Sequence, residues 1–371
     1  MDYAKIGKAE AICLIIIGIL NHLILNLPKS IFSTTGNGSI VNIIYISILS
    51  FVFCFLIVKF FDLLGNQDII DISEFLGGKV LKAIIGILYI AFYVIMCSTL
   101  LRNFSESIRL TFLPNLSIFY ILFAILLAVA IANLYSNHTV IKANLIITPL
   151  MILSLIITFA SVSPKFVTEK MYPILGNGIT ETFLTGLSNF FAFTGISILY
   201  FLPPFLKDNK DFKKISYLSF AIISIILICG VACFLFGLPI VISMDELSPM
   251  YTLIKASQFG SFFERPEALF ILIWILALIS FLCVFSMLII VILQKLLHAK
   301  QKKGFSLLIA NIIFVVAILY TNLSQSLFME STVYKYISLA LVFIISPILL
   351  LLAYRKKKRH SKKQGGTLSN E

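Results

Sequence analysis

Charge is scarce in this chain: Asp, Glu, Lys and Arg supply 12% of its 371 residues, about half the share carried by a soluble domain. Hydrophobic residues reach 60%. A soluble enzyme is excluded, and only the last 17 residues are polar enough for disorder. Acidic residues are scarcest, 17 against 29 Lys and Arg, and none falls deep in an apolar run. Glu10, Glu106, Glu181 and Glu267 each lie within a turn or two of a run's end. A proton-coupled symporter needs an intramembrane carboxylate or an equivalent relay, so that mechanism is disfavoured. Glu106, between Arg102 and Arg109, reads as a helix-end charge cluster at the surface.

Other absences narrow the class further. All six cysteines (Cys13, Cys54, Cys97, Cys229, Cys233 and Cys283) sit inside apolar runs, which reads as free buried thiols rather than a disulfide framework. Cys229 and Cys233 lack a third ligand for a metal. Gly77-Gly78-Lys79 lacks the spacing and the following Ser or Thr of a phosphate loop, and Gly36-Asn37-Gly38 and Gly176-Asn177-Gly178 read as isolated loop turns. No enzyme, cofactor or metal is indicated. The net charge of +12 is spread over short segments rather than one patch, which excludes nucleic acid as the partner and leaves membrane orientation as its use.

What remains is a polytopic membrane protein. Ten apolar runs, at about 9–28, 40–61, 81–102, 116–135, 140–162, 182–205, 215–240, 267–294, 304–323 and 333–354, are each long enough to cross a bilayer. Asn26-Leu27-Pro28-Lys29 after the first run offers no small-residue cleavage site, so that run reads as a retained helix. An even number of crossings puts both termini on one side. With that side inside, the outer side keeps Lys29, Arg102, Arg109, Lys165, Lys170, Lys255, Arg265 and Lys335, and the inner side holds the other 21 basic residues. This asymmetry predicts N-in, C-in topology. The expected organisation is a single transmembrane domain over 1–354, with repeats at about 9–162 and 182–354, and a disordered basic cytoplasmic tail over 355–371 that meets anionic lipid. The inner connection 62–80 reads as a short amphipathic surface helix, and the outer connection 241–266 is too apolar to be free.

Ten runs divide into five plus five. In secondary transporters with inverted repeats, the first helix of each half is interrupted, and the freed backbone lines the substrate site. Runs one and six are the flawed ones here. Run one holds Asn21, His22 and Asn26 before Pro28; run six holds Asn189, Thr194, Gly195 and Ser197 before Pro203-Pro204. His22 to Pro28 and Ser197 to Pro203 share a six-residue offset, a weak internal repeat. Gly195 and the prolines predict unwinding near mid-membrane. Run three adds Tyr89, Tyr93 and Cys97 on one face; run five adds Asn144, Thr148, Ser154 and Thr158; run eight adds Trp274, Ser280 and Cys283. Apart from cysteine and tyrosine, His22 is the one titratable group read near mid-membrane, which makes it a functional candidate.

Several stretches resemble the spore-germination permease family, the integral-membrane B subunit of nutrient germinant receptors. They are Tyr172-Pro173-Ile174-Leu175-Gly176-Asn177-Gly178, Phe201-Leu202-Pro203-Pro204-Phe205-Leu206-Lys207, Phe263-Glu264-Arg265-Pro266-Glu267-Ala268-Leu269-Phe270 with Trp274, and Asp68-Ile69-Ile70-Asp71. Phe190-Phe191-Ala192-Phe193-Thr194-Gly195 resembles the broken sixth helix of the amino acid, polyamine and organocation transporter superfamily. The resemblance implies a LeuT-like, all-α fold of two inverted five-helix repeats with helices one and six broken. It also implies a complex with a larger A subunit and a lipoprotein C subunit in the spore inner membrane. The chain departs from the family at Asn21-His22-Leu23, where glycines are common, and at Asn137 to Lys142, where an acidic residue and an Arg are common. The expected function is binding of a small nutrient, an amino acid, at a site drawing on Asn21, His22, Tyr93, Phe193, Thr194, Gly195 and Ser197. A secondary amino acid transporter and a water or ion pathway are the alternatives.

Overall fold

In the computed structural model, residues 5–25, 27–246, 249–256, 266–299 and 303–367 are described. The elements are α1 (Lys8–Leu25), α2 (Leu27–Thr35), α3 (Ser39–Leu64), α4 (Ile69–Phe112), α5 (Ile118–Leu134), α6 (Asn137–Val162), α7 (Ile179–Phe183), a 3-10 segment (Thr185–Tyr200), α8 (Asp211–Gly237), α9 (Ile240–Asp245), α10 (Pro249–Ala256), α11 (Pro266–Leu297), α12 (Lys303–Leu319), α13 (Leu323–Phe328), α14 (Lys335–Ser338) and α15 (Ser346–Thr367). Two π-helical stretches, Met329–Tyr334 and Leu339–Ile345, join α13, α14 and α15 into one rod. Each of the ten apolar runs has a helical counterpart. Among the described residues, seven helical stretches are long and apolar enough to cross a membrane, and Ile118–Leu134 and Lys303–Leu319 are shorter apolar helices.

Numbering the crossings one to ten exposes the symmetry. Crossing one (α1) packs on seven (α8), and six (the 3-10 segment) packs on two (α3). Three (α4) meets nine (α12), as eight (α11) meets four (α5). Five (α6) meets eight, as ten (α15) meets three; α1 meets α6, as the 3-10 segment meets the π-helical part of ten. Each contact survives adding five to both members, as two equivalent five-helix repeats require. Crossings one and six touch each other at the centre.

The two ends of the bundle are tied by different chemistry. At the end carrying the N-terminus, Ile6 and Leu206 form an isolated parallel bridge and Lys8 pairs with Asp211 at 2.9 Å. Asp68 caps α4 by accepting from the backbone N–H groups of Ile70 and Asp71 in a capping box, and Lys295 of α11 reaches both Asp68 and Asp71. Burial pushes the Asp68 carboxyl up to about 6, and the Lys295 ammonium pulls against that shift. The expected surface helix is the first part of α4, set off by Gly77 and by Gly78, whose φ of 66° favours glycine. α15 carries the basic segment past 355 and runs on to Thr367; Lys356 donates to the Phe75 carbonyl at 2.7 Å, and Lys357 donates to the Leu64 carbonyl at 3.3 Å. Carbonyls at the ends of helical turns are good acceptors for such cations.

At the opposite end the two Gly-Asn-Gly turns are not isolated. Asn177 donates its backbone N–H to the Thr35 carbonyl and its side-chain amide to the Thr34 carbonyl, while Asn37 donates to the Tyr172 carbonyl. A Cβ on Gly176 would stand 1.9 Å from the Thr35 carbonyl oxygen, so only glycine fits. The outer connection packs as expected where it is described: Met250, Leu253 and Ile254 of α10 are buried. Phe259, Phe262, Phe263, Glu264 and Arg265 lie outside the described residues. Glu106 is not at the surface but buried, accepting from Arg102 at 2.9 Å and Arg109 at 2.8 Å, and Cys229 is exposed rather than buried.

Candidate functional site

The break expected in crossing one falls at Asn26, which lies outside the described residues, between α1 ending at Leu25 and α2 starting at Leu27. In crossing six the departure takes a different form. Thr185 to Tyr200 winds as a 3-10 helix, buried from Asn189 onward, and the turn into Pro203-Pro204 follows Tyr200. Gly195 is therefore a point of close approach rather than an unwound gap. A Cβ there would lie 2.6 Å from the carbonyl carbon and oxygen of Gly18 on α1.

That approach brings His22 and Thr194 together. His22 Nε2 lies 3.3 Å from Thr194 Oγ1 and 3.2 Å from the Tyr334 hydroxyl, and the two hydroxyls are 2.8 Å apart. The three polar groups form a closed triangle with two hydroxyl protons and one imidazole proton. In either neutral tautomer only two of its edges can carry a hydrogen bond at once, because each proton serves one edge and Nε2 either donates or accepts. One hydrogen-bonding capacity is left over. Among the described residues, Nδ1 of His22 is also buried with no hydrogen-bond partner, as is the indole N–H of Trp274, and the hydroxyls of Tyr93 and Ser197 are buried beside each other with no other partner. Such groups are costly to bury unpaired.

Aromatic rings wall this centre. His22 stacks on Tyr334 with centroids 6.0 Å apart, and meets the edges of Phe191 and Phe281 at 5.8 and 6.5 Å. Phe92 stacks on the other side of Tyr334 at 5.9 Å, and Tyr93 packs on Phe201 and Phe285. Of the residues expected at the site, His22, Thr194, Tyr93 and Ser197 lie in this core, all at 0% exposure. Asn21 instead donates to the Ile17 carbonyl of its own helix at 3.0 Å. Phe193 stacks on Phe220 of α8 and packs tilted against Phe190, and the aromatic of this segment that meets His22 is Phe191.

Sequence reading misses Glu330, because the runs leave 323–333 as a connection whereas the helix is continuous there, and it misses Tyr334, at the edge of the tenth run, because nothing local marks its contact with His22. Glu330 lies within this rod, about two turns from its start at Leu323, and is buried at 6% exposure, a carboxylate that the reading of the runs left in a connection. It accepts from the Asn103 amide at 2.5 Å, and Asn103 accepts in turn from Ser326 at 2.7 Å. A cavity of about 420 Å³ opens beside it, lined by residues of α2, the 3-10 segment, α4 and the 324–335 stretch. Phe191 belongs both to the cavity lining and to the shell around His22, so one ring separates the cavity from the triangle. Asn189 braces this region: it accepts from Ser30 and donates to Thr34 and to Asn42.

The sequence model of the spore germination protein family matches residues 5–326. Spore germination protein KB of Bacillus subtilis (strain 168) is 23% identical over 372 residues, covering 98% of this chain and 99% of that protein. Spore germination protein YndE of the same organism is 24% identical over 377 residues, covering 97% and 99%. Among solved structures, MhsT in complex with L-phenylalanine aligns with a TM-score of 0.67 at 11% identity, over 96% of this chain and 100% of that one. A Na+-coupled sialic acid symporter in a substrate-bound outward-open state aligns with a TM-score of 0.64, also at 11% identity, over 91% and 79%. At such identity these structures establish the fold, a LeuT-like pair of inverted five-helix repeats. With the family model spanning most of its length and that fold beneath it, the chain belongs to the spore germination protein family and is a multi-pass membrane protein of permease type.

Proposed function

We propose that this chain is the integral-membrane subunit of a spore nutrient germinant receptor, binding a small nutrient of the amino acid class between crossings one, three, six, eight and ten. It works in the spore inner membrane with a larger A subunit and a lipoprotein C subunit, and both termini face the cytoplasm. The observation that carries this reading is the buried, under-satisfied triangle of His22, Thr194 and Tyr334, in which Nδ1 of His22 has no hydrogen-bond partner among the described residues, beside the buried Tyr93 and Ser197 hydroxyls. Polar groups left unpaired in an aromatic-walled core mark a place that a ligand completes. Membership of a germination family supports a signalling outcome, and the permease fold supports a mid-membrane site.

The fold also favours a second reading, a secondary transporter, since one aligned structure is that of a Na+-coupled symporter. The purified complex of the three subunits, titrated calorimetrically with free amino acids and then reconstituted into vesicles, separates the two. The receptor reading expects saturable binding with no accumulation under an imposed proton or sodium gradient. Gradient-driven accumulation overturns it in favour of transport, whereas ion flux or swelling without accumulation points to a conducting pathway.

A further inference from the structure

The cavity beside Phe191 contains two buried groups of opposite charge that are not paired with each other. Glu330 and Lys335 are exposed by 6% and 8%, and both line it. Among the described residues neither takes part in an ion pair within 4.0 Å. Glu330 has the Asn103 amide as its hydrogen-bond partner; Lys335 reaches only Ser30 Oγ, at a long 3.4 Å, and lies 5.5 Å over the Phe191 ring. Lys29 also belongs to the lining and adds a second cation to it.

Burying a carboxylate and an ammonium without pairing them is unfavourable by several kcal/mol per ion on the usual scale. The arrangement is retained here across an open volume of about 420 Å³, within the range of roughly 300–1,000 Å³ typical of small-molecule sites. A ligand carrying both charged groups on one carbon satisfies both residues at once, whereas a plain anion or cation satisfies one and leaves the other unpaired. We propose that this cavity is a receiving site for a zwitterion, a free α-amino acid, whose carboxylate pairs with Lys335 and whose ammonium pairs with Glu330. Phe191 forms the floor under the ligand and stands between it and His22. The inference rests on the reading of the chain as a nutrient-binding subunit and adds to it a second station, at the mouth, with a stated charge code.

The test uses the purified receptor complex and three probes of graded side-chain size: L-alanine, L-leucine and L-phenylalanine. Each is compared with its amide, which lacks the carboxylate, and with its des-amino acid, which lacks the ammonium. Wild-type protein is expected to prefer the zwitterion over both analogues. Glu330→Gln, which keeps an acceptor for Asn103, should weaken amino acid binding roughly tenfold to a hundredfold, the usual worth of a hydrogen bond to a charged group. It should leave des-amino acid binding unchanged, because the lost partner was the ammonium's. Lys335→Met should show the converse, with amide binding spared. If wild type binds amino acids but both variants lose zwitterion and analogue alike, or lose nothing, the receiving site is overturned while the nutrient-binding reading stands. If wild type binds none of the probes, the nutrient-binding reading falls and the receiving site with it. The preference of the unmodified protein for zwitterion over both analogues is read without any variant, so misfolding of Glu330→Gln or Lys335→Met cannot shelter the proposal.

Discussion

At the scale of single residues, His22 separates a receptor from a proton-coupled transporter. Its Nε2 meets two hydroxyls, its ring stacks on Tyr334, and its other nitrogen is buried without a partner. His22→Gln supplies an amide that reaches one of those hydroxyls, but it cannot titrate and loses the ring contacts with Tyr334, Phe191 and Phe281. A lost hydrogen bond and a lost aromatic pair are each worth about 0.5–1.5 kcal/mol. Under the receptor reading, the nutrient concentration for half-maximal germination should therefore rise roughly tenfold, with its pH dependence nearly unchanged. Germination assays across pH in spores carrying the variant check this. Complete loss of gradient-driven uptake in vesicles, together with its pH profile, would show that His22 is a proton relay. Part of this centre was legible in the sequence, because a histidine inside an apolar run stands out against its background. Its partner Tyr334 lies 312 positions away, and a tyrosine at a run's edge carries no local signal of that contact.

At the scale of elements, the junction of crossings one and six depends on Gly195, whose Cβ position lies against the backbone of Gly18, and on Gly18, whose Cβ position lies against Ile198. Gly18 and Gly195 let the backbones of α1 and the 3-10 segment touch, and the Cβ of an alanine at 195 would overlap main-chain atoms that cannot swing aside. Overpacking of this kind costs about 1–3 kcal/mol. Gly195→Ala should accordingly lower the amount of folded protein in the membrane, and any loss of nutrient response should follow that loss of protein. Gly304→Ala, where a Cβ meets nothing within 4 Å, should leave abundance unchanged. Immunoblotting of membranes and a thermal melt of the solubilised complex measure both. Equal abundance of Gly195→Ala and wild type, with response abolished, would instead mean that the glycine serves ligand access. Hydropathy located the ten runs because lipid demands about 20 apolar residues per crossing. It could not tell how the flaw in run six would be relieved, since proline and glycine are compatible with a gap, a kink or a tightened 3-10 winding. It also split the last rod, because Thr321, Asn322, Ser324, Gln325 and Glu330 look like a loop until the cavity that receives some of them is seen.

At the scale of the whole molecule, the contacts sort the connections onto two ends. Asn37 with Tyr172, and Asn177 with Thr34 and Thr35, place residues 29–38 and 172–178 at one end. Ile6 with Leu206, Lys8 with Asp211, Lys295 with Asp68, and Lys356 with Phe75 place both termini at the other. We propose that the end carrying the termini faces the cytoplasm, on charge rather than packing: the sequence assigns 21 of the 29 basic residues to the segments on that side, and translocating that many cations is opposed during insertion. Ser33 and Asn209 are exposed on opposite ends and suit single-cysteine labelling in a background where the six native cysteines, Cys229 being exposed, are replaced by alanine. A membrane-impermeant maleimide added to intact cells expressing the protein should label Ser33→Cys at once, and Asn209→Cys only after permeabilisation. The reverse pattern would invert the molecule. In that event the Glu330 and Lys335 cavity would open to the cytoplasm and could not meet a nutrient arriving from outside the spore core. Orientation and site are thus bound to a single outcome, because the cavity lies at the end where Lys29 and Ser33 emerge and nowhere near the basic α15.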